Sequence, residues 1–154
     1  MTHCTHRSDH PAEPVIATIE QACQDRGLRL TPLRREVLQL IIEATGPVKA
    51  YDLLDSLKSS HQSAAPPTVY RALDFLLENH FIHRLETLNA YVSCFHPESS
   101  HSGQFLICER CERVTEIHAK EMTADILAAA EAQGFSPSKQ VIEVYGVCGE
   151  CKSA

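Results

Sequence analysis

The chain has 154 residues, 44% of them hydrophobic, and a formal net charge of −6 at pH 7, which allows one ordinary core or two small ones and here favours two. No run approaches the length of a membrane span, and Met1 to His10 lack the apolar core of a secretory signal, so the expectation is a cytoplasmic protein. In that reducing compartment its seven cysteines are expected as thiols or metal ligands rather than disulfides.

The charge is unevenly spread. Residues 91–154 hold nine acidic against five basic side chains, whereas Arg26, Arg29, Arg34 and Arg35 cluster near the front with only Asp25 and Glu36 beside them. The net acidity therefore does not count against nucleic acid as a partner of the front half.

Residues 1–14 read as a disordered tail whose His3, Cys4, His6 and His10 offer at most weak, transient metal capture. From Val15, the residues Ile16, Ile19, Ala22 and Cys23 form a helical stripe that Gly27 ends, with Cys23 a small core residue. Thr31 as N-cap and Pro32 at the first helical position start a second helix, buried through Val37, Leu38, Ile41 and Ile42 and stopped before Gly46-Pro47. Tyr51, Leu53, Leu54 and Leu57 mark a third, short helix, and residues 59–67 a loop.

The fourth helix, Thr68 to Asn79, puts Val69, Ala72, Leu73, Leu76 and Leu77 on one narrow face, with Arg71 nearly opposite and Thr68 and Tyr70 at the first turn. Periodicity alone admits two readings: an amphipathic surface helix, or one lying in a major groove with Tyr70 and Arg71 toward bases. Its start, after Pro66-Pro67, is expected to present unpaired N–H groups to a phosphate. Arg34 and Arg35 are further candidates for phosphate contacts. A β-hairpin follows, Phe81–Glu86 and Tyr91–Cys94 about a turn at 87–90. Three helices and then a hairpin is a winged-helix order, which supports the groove reading and assigns 15–95 to a DNA-binding domain.

Residues 96–103 read as a hinge before a second unit over 104–154. There Gln104–Ile107 and Val114–Ile117 are short strands, and Met122, Ile126, Leu127 and Ala130 form a helical stripe that Gly134 stops. A final strand, Gln140–Tyr145, completes the unit. Two Cys-x2-Cys pairs, Cys108/Cys111 and Cys148/Cys151, bracket it with 36 residues between them. Such knuckles aim backbone N–H groups at sulfurs and complete a closed tetrahedral four-thiolate shell that favours zinc, although two disulfides or four buried thiols have the same composition. A unit of about 50 residues has too small a core to hold itself firmly, so a structural metal staples its ends. The fold class is α+β: a winged helix, then a small α/β domain with a Cys4 zinc site.

Pro-Pro-Thr-Val-Tyr-Arg-Ala-Leu-Asp-Phe-Leu at 66–76, Leu-Thr-Pro at 30–32, Ala-Tyr-Asp at 50–52 and both knuckles occur in the order of the ferric uptake regulator family. Over about residues 15–151 the chain resembles that family, and within it the zinc-sensing branch. The resemblance implies a homodimeric repressor in which the second unit dimerises, binding a palindromic operator in double-stranded DNA when a sensory metal is present, with no membrane and no small-molecule substrate. It also implies a regulatory site at His83, Cys94, His101 and Glu116. One thiolate, two imidazoles and a carboxylate drawn from both domains suit tetrahedral zinc, giving two zinc ions per subunit, one structural and one regulatory. The iron-sensing branch carries histidines and an aspartate where Ser102-Gly103-Gln104-Phe105 stands here, and many relatives have a ligand histidine in place of Gln140. That departure disfavours an iron-, manganese- or peroxide-responsive regulator, the alternative within the family. His96, Glu98 and His118 stand as substitutes for a third, weaker site. A zinc hydrolase or deaminase fits poorly, since catalytic zinc keeps an open position and both proposed shells are full. An adaptor that binds only protein would leave Tyr70 and Arg71 without a role.

Overall fold

The computed structural model describes residues 12–94 and 103–154, which fall into two compact units divided along the chain near residue 100. The tail residues His3, Cys4, His6 and His10, and the hinge residues His96, Glu98 and His101, lie outside the described residues.

The first unit holds four helices: α1 (Ala12–Asp25), α2 (Pro32–Glu43), α3 (Ala50–Leu57) and α4 (Pro66–Glu78). α1 begins three residues inside the stretch assigned to the tail and ends as expected, with Gly27 at φ +64° in the left-handed conformation that glycine adopts without strain. Thr31 caps α2, its hydroxyl accepting from the Arg34 N–H at 3.4 Å with Pro32 behind it, so one free helix-end donor is satisfied and another is absent by composition.

The apolar stripes meet in one core of Ile16, Ile19, Cys23, Val37, Leu38, Leu53, Leu57, Val69, Leu73 and Leu76 with Phe81 beneath. Burial holds the Cys23 thiol above its ordinary pKa, which suits an inert packing residue. In α3, Leu53, Leu54 and Leu57 fill the face turned to the core, and Tyr51 in the same helix is 70% exposed.

The wing consists of β1 (Ile82–Leu85) and β2 (Ala90–Ser93), antiparallel with Leu85 opposite Ala90, so the four-residue turn spans 86–89, one residue earlier than the expected 87–90, and uses Asn89 at φ +48°. Mutual backbone bonds between Val48 and Tyr91, 2.9 and 2.7 Å, add a third short segment to this ribbon.

The second unit is a three-stranded sheet ordered β4-β3-β5, from β3 (Gly103–Cys108), β4 (Val114–Glu116) and β5 (Val141–Gly146), with α5 (Lys120–Ala132) crossing between β4 and β5 and α6 (Gly149–Ser153) at the end. β3 runs antiparallel to β4 and parallel to β5, with Cys108 level with Gly146. The stripe expected on α5 is not buried: no residue of α5 is, and Ile126 and Leu127 are about two-fifths exposed, as are Leu106 and Val144 on the strands. Among the described residues no strand packs closely along α5, so these apolar residues stay open.

What ties α5 to the sheet is a buried amide. Gln104 Oε1 accepts from the Ala119 N–H at 2.8 Å, and its Nε2 donates to Thr123 Oγ1 at 2.6 Å and to the Ala119 carbonyl at 3.2 Å. Gln104→Leu is expected to lower the unfolding free energy by about 1–3 kcal/mol, because it strands the Ala119 groups at equal volume. Urea titration checks this, and wild-type stability would show that α5 is held otherwise.

Candidate metal centre and nucleic-acid interface

The strand register brings the two cysteine pairs together. Cys108 ends β3 beside the end of β5, and the Glu109 N–H donates to the Gly146 carbonyl at 2.8 Å, so the chain leaving β5 arrives against the first pair. Glu112, at φ +59°, turns that pair back, and its N–H bonds to the Cys108 carbonyl at 2.9 Å.

The sulfurs of Cys108, Cys111, Cys148 and Cys151 all lie within 4.8 Å of one another. The Cys111 and Cys148 sulfurs are 3.7 Å apart. A zinc–sulfur bond of about 2.3 Å gives a tetrahedron whose edge is about 3.8 Å, whereas a disulfide needs about 2.05 Å. The residues present therefore fit a tetrahedral metal and not a pair of disulfides.

The backbone prepares the sulfurs for this role. The Cys148 N–H donates to Cys108 Sγ at 3.3 Å. That bond first, and then those from Cys111 and Arg110, pull the Cys108 thiol down to about 6. Cys111 is raised: the Arg113 N–H lowers it, but burial and the neighbouring Cys108 sulfur outweigh that. Crowded sulfurs cannot all ionise without a cation among them, which is the electrostatic reason such a cage retains a metal.

On the wing, continuing the register past Ile82–Ser93 sets Phe81 level with Cys94, as the Cys94 N–H bond to the Phe81 carbonyl at 3.0 Å shows. His83 and Cys94 thus project from the same face of the hairpin as diagonal neighbours. Glu116 closes β4 in the other unit.

The candidate nucleic-acid face lies on α4. Val69, Ala72, Leu73 and Leu76 are buried, while Arg71 is exposed and Tyr70 is 50% exposed. Among the described residues the Arg71 guanidinium has no hydrogen-bond or ionic partner. Thr68 is half-buried at the first turn.

The expected free N–H groups at the start of α4 are not there. Ala65 is the N-cap, Pro66 and Pro67 have no N–H to offer, and the Thr68 and Val69 N–H groups both bond to the Ala65 carbonyl, at 2.9 and 3.3 Å. Arg34 and Arg35 are also engaged. Arg34 donates to the Arg29 carbonyl at 2.6 Å and stacks 3.8 Å from the Phe75 ring centre, and Arg35 pairs with Glu20 at 2.7 Å. Tyr51, which its spacing marked only as part of a helix, is an exposed aromatic in the first turn of α3. Its neighbour Lys49 and the mismatch with the Leu53–Leu57 stripe were the available signals.

The family model described as "Ferric uptake regulator family" matches residues 25–145. The zinc uptake regulation protein of Escherichia coli (strain K12) is 42% identical over 140 residues, covering 90% of this chain and 82% of that protein. The peroxide operon regulator of Bacillus subtilis (strain 168) is 27% identical over 142 residues, covering 92% and 94%. Among solved structures, a zinc uptake regulator complexed with zinc and DNA superposes with a TM-score of 0.89 at 40% identity, covering 94% of this chain and 97% of that one.

In metal-stripped protein, Cys108 is expected to be alkylated ahead of Cys111 at pH 7, being largely thiolate above about pH 6 and protonated below it. Peptide mass mapping across pH 5 to 9 checks this order, and equal rates at the two cysteines would contradict it.

Proposed function

Because this chain belongs to the ferric uptake regulator family, we propose that it is a zinc-dependent DNA-binding repressor, active as a homodimer in the cytoplasm and controlling genes of zinc uptake. The observation that carries this reading is a four-cysteine cage of tetrahedral zinc spacing in a chain whose α4 leaves Tyr70 and Arg71 outward. The open apolar face around Ile126, Leu127 and Val144 supports pairing of the second unit with its copy.

Cys108, Cys111, Cys148 and Cys151 hold the structural zinc, which when bound supplies closure of the sheet's free end rather than a reactive site. On DNA, α4 lies in the major groove with Arg71 reading bases, Tyr70 and Tyr51 beside it and Thr68 toward the backbone. Two-fold symmetry then spaces the half-sites of a palindrome by about 34 Å. Arg34 and Arg35 contact phosphate. Arg35 exchanges an exposed pair with Glu20, which stabilises by at most about 1 kcal/mol, for a phosphate oxygen.

The regulatory ligands in this proposal are His83, Cys94, His101 and Glu116, for a total of two zinc ions per subunit. The shared face of His83 and Cys94 on the wing supports it, as does a donor set of one sulfur, two nitrogens and one carboxylate. Ligands from both units would fix their relative orientation, selecting arrangements that seat both α4 helices. Changing the competent fraction from about 1:99 to 99:1 needs zinc to favour it by roughly 5.5 kcal/mol. An iron- or peroxide-responsive role fits less well, because Gln104, in the stretch where the iron-sensing branch places ligands, is committed to Ala119 and Thr123.

Arg71→Ala should weaken operator binding by about 1–3 kcal/mol per half-site while leaving zinc content and dimerisation intact. Fluorescence anisotropy with and without chelator reads this, and unchanged operator affinity would remove α4 from the groove. Cys94→Ser should lose the zinc response yet keep the zinc at the four-cysteine cage. In cobalt-substituted protein the variant should lack one of two sets of thiolate charge-transfer and tetrahedral d–d bands. A normal zinc response in Cys94→Ser, or tighter activation by ferrous iron, would reject the zinc-sensing assignment.

A further inference from the structure

Two arginines of the first cysteine pair reach across to the second. Arg110 Nη1 donates to the Cys151 carbonyl at 2.7 Å, and Arg113 Nη1 lies 2.9 Å from Glu150 Oε1. Both partners sit on α6, a five-residue helix that buries only Cys151 and has no side-chain cap. A helix that short does not hold its own shape in water. Yet α6 and the residue that starts it carry two of the four sulfurs, Cys148 and Cys151.

We propose that Arg110 and Arg113 latch α6 against the first cysteine pair and thereby set how fast the four-cysteine cage releases its metal. They are positioning residues and not ligands. The inference rests on the reading that these cysteines hold zinc, and adds to it the control of release.

The physical argument is one of rebinding. Ligands leave a metal one at a time, and release completes only when a pair swings away before its sulfurs return. While the latch holds, a detached Cys148 or Cys151 stays within reach at high effective concentration and closes again. The two halves of the latch differ in strength. Arg110 places a charged donor on a part-buried carbonyl, a bond of the stronger class. Arg113 and Glu150 are 33% and 52% exposed, so water screens their attraction. Arg113 follows Cys111 by two residues and so brings positive charge to a cage whose four thiolates exceed the charge of a divalent ion.

The test uses full-length zinc-loaded dimer in a Cys94→Ser background, so that the proposed hinge ion does not contribute. Zinc content is measured first, and release into excess chelator is then followed with a chromogenic zinc indicator. Arg110→Met should release zinc roughly ten-fold faster or more, in line with the effect of removing groups that orient metal ligands. Arg113→Gln and Glu150→Gln should each accelerate it about two- to five-fold. The reversed pair, Arg113→Glu with Glu150→Arg, should return the rate close to the starting value. Cobalt-substituted forms of all these variants should keep the same tetrahedral thiolate spectrum, since no ligand changes, whereas a general structural defect would alter it. Unchanged release in Arg110→Met, or a defect at Arg113 and Glu150 that the reversed pair does not recover, overturns the latch. Should Arg110→Met not fold, the exposed Glu150→Gln and the reversed pair decide the matter alone. Absence of zinc at the four cysteines in the parent protein would instead reject the metal reading itself.

Discussion

The second unit depends on the parallel pairing of β3 with β5, because that register sets Cys108 level with Gly146 and delivers Cys148 to the first cysteine pair. Parallel neighbours require a crossover, which α5 provides, and α5 is fastened to β3 by one buried amide, Gln104. Cysteines 37 positions apart in the chain, Cys111 and Cys148, thus close into a sulfur cage with a tetrahedral edge. The core is small and one face stays open, so the proposed metal at the sheet's free end and the proposed second copy across the apolar face would complement each other as sources of stability.

The first unit works by the opposite means. Its core is continuous through four helices and the wing, and it needs no metal to hold α4 in place. Rigidity there has a functional side: Pro66 and Pro67 fix the start of α4, Val69, Leu73 and Leu76 anchor one face, and Tyr70 and Arg71 are left outward as a consequence. The same prolines deprive the helix start of free N–H groups, so in the proposed complex phosphate contact falls to side chains. Arg34 and Arg35 both have internal partners, which suits contacts made by exchange upon binding rather than by charges held ready.

Both proposed metal sites use cysteine, but for different ends. The cage draws all four ligands from one unit and is lined by backbone N–H groups and two arginines, features that favour retention. The proposed regulatory set mixes sulfur, nitrogen and oxygen donors from two units, features that favour exchange coupled to orientation. Under this proposal one zinc belongs to the fold and another is read as a signal.

The sequence by itself determined what depends on local spacing. Thr31-Pro32 as a helix start, the α4 stripe with Arg71 opposite, a wing turn of four residues and the two Cys-x2-Cys pairs were all legible, because each is fixed by residue type within one or two turns of chain. Tertiary structure decided the rest. Tyr51 faces solvent because three leucines already fill the inner face of α3, and the α5 stripe stays exposed because, among the described residues, no strand packs closely along it. Gln104, which looked like a missing ligand, proves to be the fastening of α5, and Arg110, Arg113 and Glu150 become partners only once β3 and β5 align. Burial and long-range polar pairing depend on what else occupies the space around a residue, and that is set by packing between distant segments rather than by any local pattern.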